Sequence, residues 1–311
     1  MSFESIVSRK DVASFLELNN WTPVEVVEFG VSSDVLIIER GVEKRAMKIV
    51  RDKKRLDTLV NGYQVIKMLN KTPLKPHVPE VGEWLDDIGG YIMEYLTYPT
   101  PQEVRSEVWL LRLARELRKM HKMDLADVKG IPDDRPDIGR SVTQRFAENF
   151  NRVWDKDDRW ITLPEAERPK LEMVRQYHEK YTTMIPSVEN ALKNTRAALT
   201  HGDLGGDNIM LRPGGTLVFI DWDGARISSS LSDLACVLSY LDRTKEEIGR
   251  FLGEYFGSRE DMEEALPCIQ DLLNLYLYRN CVMSLWWMVE DPENGLDAVG
   301  RAYLNRILKE L

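Results

Sequence analysis

The 311-residue chain has only three cysteines, Cys236, Cys268 and Cys281, and no Cys-x-x-Cys pair. A disulfide framework and a thiolate zinc site are therefore excluded as organising principles. Each cysteine falls within an apolar helical pattern, where a buried thiol is expected. No apolar run is long enough to span a bilayer, and no basic-then-apolar leader opens the chain. The expectation is a cytoplasmic protein with no membrane partner. Positive charge is in deficit, with 42 Lys and Arg against 51 Asp and Glu, for a net charge of −9. That balance argues against binding nucleic acid and suits a neutral or cationic substrate better than an anionic one. Internal repeats and low-complexity tracts are also missing. What remains is a globular composition, 43% hydrophobic and 30% charged, in a chain long enough for two lobes.

The densest run of chemistry is His201-Gly202-Asp203-Leu204-Gly205-Gly206-Asp207-Asn208, followed by Ile220-Asp221-Trp222-Asp223. Between them, two short apolar runs, Ile209–Arg212 and Leu217–Ile220, flank Pro213-Gly214-Gly215-Thr216, a β-hairpin signal. If Gly214-Gly215 form a two-residue loop, Leu211 faces Val218 and Asn208 faces Asp221. An amide and a carboxylate then meet at the open end of the hairpin, with Asp203 just upstream. Hard oxygen donors so placed suit Mg²⁺, which leaves its other positions to phosphates and water. The bland alternative is turn chemistry, with Asx side chains bonding their own backbone.

Upstream, the pattern predicts a helix over Asp11–Leu18 and strands at Val24–Phe29, Val35–Ile38 and Arg45–Val50. A helix carrying Leu56, Leu59, Tyr63, Ile66 and Leu69 follows. Two more strands, Pro79–Val81 and Tyr91–Tyr95, bracket Gly89-Gly90. Beyond Leu96 the chain reads as almost wholly helical, with patterns at Leu110–Met120, Val142–Val153, Ala166–Met184, Ser187–Ala198, Ser232–Leu241, Lys245–Tyr255 and Ile269–Val289. Pro99 and Pro101 mark a hinge. The expected fold class is α+β: residues 1–96 a nucleotide-binding lobe with a five-stranded antiparallel sheet and one inserted helix, residues 97–311 a helical lobe.

His-x-Asp-x(4)-Asn followed by a strand ending in Asp resembles the catalytic loop and metal-binding aspartate of the protein-kinase-like superfamily. His-Gly-Asp-Leu and Ile-Asp-Trp-Asp are similar, within it, to the aminoglycoside phosphotransferase and choline kinase group. The resemblance implies ATP (or GTP) and Mg²⁺ as cofactors and a hydroxyl-bearing small molecule as acceptor. Asp203 would orient the hydroxyl and take its proton; Asn208 and Asp221 would hold the metal; His201 would pack the loop. Lys48, in the third strand, would place charge against the phosphates. The turn Gly30-Val31-Ser32-Ser33-Asp34 is not Gly-x-Gly-x-x-Gly, so Ser32 and Ser33 would help cover the phosphates. The Glu94 carbonyl and the Leu96 amide would meet the adenine edge, with Met93 behind the base.

Two departures stand out. The family carries a glutamate on the inserted helix as partner of the lysine, whereas this chain reads Asn61-Gly62-Tyr63-Gln64. Gln64 or Asp57 are the replacements within reach. Gly205-Gly206-Asp207 stands where relatives have His-Pro-Gly. Asp223 is a candidate for a second metal or the substrate, and Asp233 for bracing the catalytic loop. Trp286-Trp287 offer aromatic faces for a quaternary ammonium, or simply fill the core. The acidic tracts Asp133-Asp134 and Asp155–Asp158 could attract amino groups, or lie solvated. No lysine follows the base by two residues and no Ala-Pro-Glu follows Asp221, which disfavours a protein substrate. A small-molecule kinase is the favoured reading, beside a choline or ethanolamine kinase and a nucleotide-binding regulator with little turnover.

Overall fold

The computed structural model describes residues 3–27, 33–51, 53–154, 160, 162–290, 304, 305 and 308, with the side chains of 152, 153, 287 and 290 left aside. The chain forms two compact units, Met1–Pro132 with His201–Arg226, and Asp133–Thr200 with Ile227–Leu311. The first unit thus joins the segment up to Pro132 with the hairpin segment His201–Arg226.

In the first unit, helices α1 (Phe3–Val7) and α2 (Lys10–Leu18) precede a five-stranded sheet of order β1-β2-β3-β5-β4. Its strands are β1 (Thr22–Val27), β2 (Ser33–Arg40), β3 (Glu43–Val50), β4 (Val81–Leu85) and β5 (Gly90–Glu94). All neighbouring pairs are antiparallel. The sheet works because successive side chains point to opposite faces. Leu36, Ile38, Met47 and Ile49 pack with Ile6, Val12, Leu16 and Trp21 from the helical N-terminus. The alternate residues Val35, Ile37, Ala46 and Lys48 line a cavity on the other face. Alternation alone therefore sends Lys48 to the side opposite the apolar cluster.

Helix α3 (Leu56–Leu69) is inserted between β3 and β4 and buries Leu59, Tyr63, Val65, Ile66 and Leu69. Tyr63 anchors it: its hydroxyl donates to the Gly82 carbonyl at 3.0 Å, and its ring packs 5.1 Å from Tyr91 and 5.4 Å from Trp84. After β5, α4 (Pro101–Arg105) begins at a capping box between Thr100 and Glu103, and α5 (Glu107–His121) at an Ser106 cap.

The second unit contains α6 (Ile138–Trp154), α7 (Arg168–Gln176), α8 (His178–Leu192) and β6 (Ala197–Thr200). In the first unit the hairpin strands are β7 (Ile209–Leu211) and β8 (Leu217–Phe219). β9 (Arg226–Ser229) pairs with β6, and α9 (Ser230–Tyr240), α10 (Lys245–Phe256) and α11 (Arg259–Glu290) complete the chain. Two expectations are corrected here. Pro186 does not start a new helix but lies inside α8, where Tyr181, Val188 and Leu192 are buried. One missing backbone donor is outweighed by that apolar face. Ala197 and Ala198, expected to end a helix, instead open strand β6, whose Ala198, Leu199 and Thr200 are buried.

Candidate active site

A cavity of about 200 Å³ opens in the first unit. Its floor is the sheet face carrying Val35, Ile37, Ala46, Lys48, Tyr91 and Met93, and its wall includes Ser33, Leu96, Asn208, Met210, Ile220 and Asp221. Apolar residues from the sheet and from the hairpin line it together with the polar side chains of Ser33, Lys48, Asn208 and Asp221. Lys48, Ser33, Leu96, Asn208 and Asp221 thus line one space. Ser32 lies outside the described residues.

Lys48 is the charge centre. Its side chain is 5% exposed, and its Nζ donates to Asp221 Oδ1 at 2.9 Å and to Asp223 Oδ2 at 3.4 Å. Burial alone would lower the ammonium's pKa; the Tyr91 phenol and the two carboxylates outweigh it, so the net direction is upward. Partial burial works against ionisation of Asp221, but Lys48 prevails and holds its carboxyl below the ordinary range. Asp223 goes the other way: burial and the Asp221 charge, set against Lys48, raise it to about 7. Two acids share one cation, and the more buried one yields its charge more readily.

The hairpin register differs from the expected one by a single residue. Ile209 faces Phe219, Met210 faces Val218 and Leu211 faces Leu217. Arg212 closes the loop, donating its amide to Thr216 and accepting from the Gly215 amide at 2.8 Å. The connection is thus three residues long, Pro213-Gly214-Gly215, with Gly214 and Gly215 at φ of +91° and +83°. Asn208 consequently pairs with Ile220, whose amide donates to the Asn208 carbonyl at 3.0 Å, and Asp221 falls one step beyond the ladder. There it adopts a left-handed backbone, φ 62° and ψ 61°. That conformation is uncommon for a non-glycine residue. Asn208 and Asp221 still share the cavity wall, though not as a cross-strand pair.

His201 is fully buried, its Nε2 bonded to the Ile220 carbonyl at 2.7 Å and its ring 4.8 Å from Trp222. A carbonyl only accepts, so Nε2 carries the hydrogen. Gly202, at φ +83°, lies so close to Gly224 that a Cβ would come within 2.1 Å of its carbonyl oxygen. This backbone contact joins the loop carrying Asp203 to the turn carrying Asp221 and Asp223. The Asp203 side chain is exposed, and its carbonyl accepts from Asn208 Nδ2 at 2.7 Å. That bond uses the amide's nitrogen and leaves its oxygen as the atom for a ligand. Asp203 itself is not among the residues lining the cavity.

Asn208 and Asp221 supply two hard oxygens, and among the described residues no three His, Cys, Asp or Glu side chains gather into a metal cage. Magnesium in phosphate sites uses one or two carboxylates and takes its other ligands from phosphate and water, so this donor set fits it.

Glu94 is placed differently from what its side chain alone would suggest. Its carboxylate turns to Arg212, with Nη2–Oε1 at 2.5 Å and Nε–Oε2 at 2.9 Å, while Arg212 also donates to the carbonyls of Pro76 and Val78. The side chain ties β5 to the hairpin, the Glu94 amide donates to the Glu80 carbonyl at 2.9 Å, and Glu94 does not line the cavity, whereas its neighbours Met93, Tyr95 and Leu96 do. No motif flagged Arg212 in the sequence. Neither Asp57 nor Gln64 reaches Lys48, whose hydrogen bonds go to Asp221 and Asp223. Trp286, in the second unit, is buried with its ring edge-on to Trp160 at 6.0 Å; the side chain of Trp287 and the tract Asp155–Asp158 are outside the described residues. Among the described residues no helix is long and apolar enough to cross a membrane.

Residues 24–268 match the sequence pattern of the phosphotransferase enzyme family. No curated protein matches the sequence. Solved structures match throughout. The chain is similar to an ethanolamine kinase of Plasmodium vivax at 16% identity and a TM-score of 0.64, covering 96% of this chain and 84% of that one. A macrolide 2'-phosphotransferase from Brachybacterium faecium matches at 14% identity and 0.58, covering 96% and 97%. A streptomycin–ATP ternary complex of APH(2")-IIa matches at 13% and 0.54, covering 98% and 96%.

Proposed function

Because this chain belongs to the phosphotransferase enzyme family, we propose that it transfers the γ-phosphate of ATP, or of GTP, to a hydroxyl of a small molecule. One observation carries the reading: Lys48, Asn208 and Asp221, from the sheet and from the hairpin, face one apolar-walled cavity beside the loop that presents Asp203. Phosphoryl transfer asks for positioning and charge neutralisation more than covalent chemistry. The apolar lining from sheet and hairpin accepts a base, and Lys48 with Ser33 accepts the triphosphate. Asn208 and Asp221 would hold Mg²⁺, which would neutralise charge on the phosphate oxygens. Lys48 adds a fixed positive charge. Asp203 orients the acceptor hydroxyl and takes its proton as the new O–P bond forms and the bond to the nucleoside diphosphate breaks. An exposed carboxylate is free to meet an incoming alcohol and to release the proton to water afterwards.

The similar solved structures bear the names of an ethanolamine kinase and a macrolide 2'-phosphotransferase, so likeness of fold leaves the acceptor open. A net charge of −9 favours a neutral or cationic acceptor. A choline-type cation seat at Trp286 gains no support, since that side chain is buried and packs against Trp160. The reading as a regulator without turnover rested on the missing helix acid, and Lys48 has two acid partners instead. The test is nucleotide consumption with a panel of aminoglycosides, macrolides, amino alcohols and sugars, run on wild type and Asp203→Asn. Acceptor-dependent turnover that the variant loses supports the proposal; acceptor-dependent turnover equal in both overturns the role of Asp203.

A further inference from the structure

Two acids reach Lys48, and they are not equivalent. Asp221 is 39% exposed and lines the cavity, whereas Asp223 is 13% exposed and lies behind it. Asp223 reaches this place only because α3 offers it no side chain. A Cβ built on Gly62 would fall 1.9 Å from Asp223 Oδ1 and 3.1 Å from its Cγ. The helix cannot simply back away, because the next residue, Tyr63, is held by its bond to Gly82 and by packing on Tyr91 and Trp84. Asp223 Oδ1 is buried with no hydrogen-bond partner, an arrangement that costs stability and has only the Lys48 charge to offset it.

We propose that Asp223 is the positioning residue that holds Lys48 toward the phosphates, and that Gly62 leaves room on α3 for its carboxylate. The inference rests on the phosphotransferase reading and deepens it. The turn after β8 then carries both acids. Asp221 is the accessible one, available to a divalent cation. Asp223 is the enclosed one, which keeps the lysine's geometry when Asp221 is engaged elsewhere. The lysine's anchor is thereby moved from the inserted helix to the segment that also bears the metal ligand, so that cation site and lysine are set by one short stretch of backbone.

The test uses the full chain and two readouts: affinity for ADP in the absence of divalent cation, and kcat and nucleotide KM with whichever acceptor the panel yields. Asp223→Asn and Gly62→Ala should each weaken ADP binding by roughly 10- to 100-fold, the range for losing one hydrogen bond to a charged group. The acceptor KM should be unchanged. Because the added methyl crowds a buried carboxylate, Gly62→Ala should also lower the thermal midpoint slightly, and a thermal melt of each variant confirms that ADP affinity is compared between folded proteins. In an Asp223→Ala background, adding Gly62→Ala should have no further effect, because the oxygen it displaces is gone. Wild-type ADP affinity in Asp223→Asn, with Lys48→Ala impaired, overturns the inference and leaves the phosphotransferase reading standing. Failure of the wild type to bind any nucleotide overturns both.

Discussion

Arg212 offers the sharpest quantitative test of how the site is held together. Its guanidinium makes two bonds to Glu94 and one each to the carbonyls of Pro76 and Val78. Glu94 is 14% exposed and Arg212 21%. Removing one partner of a fully buried pair costs about 3–5 kcal/mol. Residual solvent access at both groups screens the interaction and lowers the expectation for Arg212→Ala to about 2–3 kcal/mol. Arg212→Lys keeps the charge but loses the fork that matches the carboxylate, so it should lose most of the same amount. Chemical denaturation of wild type, Arg212→Ala, Glu94→Gln and the double variant gives the coupling energy directly, and about 1.5 kcal/mol or more is expected. Because the pair joins β5 to the hairpin that carries Asn208, nucleotide affinity should fall alongside stability. A coupling below about 0.5 kcal/mol would place this pair with ordinary surface bridges and refute the argument.

Other outcomes follow from the same geometry. Asp203→Asn should lower kcat by about 10²–10⁴-fold, the usual contribution of a general base, with ADP affinity unchanged because Asp203 does not line the cavity; a fall in ADP affinity measured by titration would show that its role is not confined to the acceptor. Asp221→Ala should abolish magnesium-dependent turnover while circular dichroism shows an intact fold, and chelation of wild type by EDTA should stop turnover until Mg²⁺ is restored. Gly202→Ala forces a Cβ to within 2.1 Å of the Gly224 oxygen at a φ of +83°. It should destabilise by about 2 kcal/mol or more in denaturant titration, and a neutral result would mean that the loop rearranges freely.

The sheet was legible in the sequence because period-2 alternation leaves a direct trace: Leu36, Ile38, Met47 and Ile49 had to share a face, and Lys48 had to take the other. The hairpin, too, was visible, since Pro213-Gly214-Gly215 between apolar runs permits little else. Its register was not, because two-residue and three-residue loops use the same glycines, and only the Arg212–Thr216 closure selects one. The break expected at Pro186 failed for a similar reason: local propensity is a small term, and the burial of Tyr181, Val188 and Leu192 is a larger one.

By itself, the order of residues determined which chemical groups exist and which face of a strand or turn they occupy, since those follow from backbone periodicity and turn chemistry within a few residues. What partners those groups acquire was decided only in three dimensions. Glu94 met Arg212 across 118 positions, and Lys48 met Asp223 across 175. Gly62 shows the limit most plainly: in sequence it belongs to a helical turn without the expected acid, and in the folded protein it leaves the space beside which another acid stands. Close packing makes that so, because a single methyl group determines whether a carboxylate can stand beside a lysine.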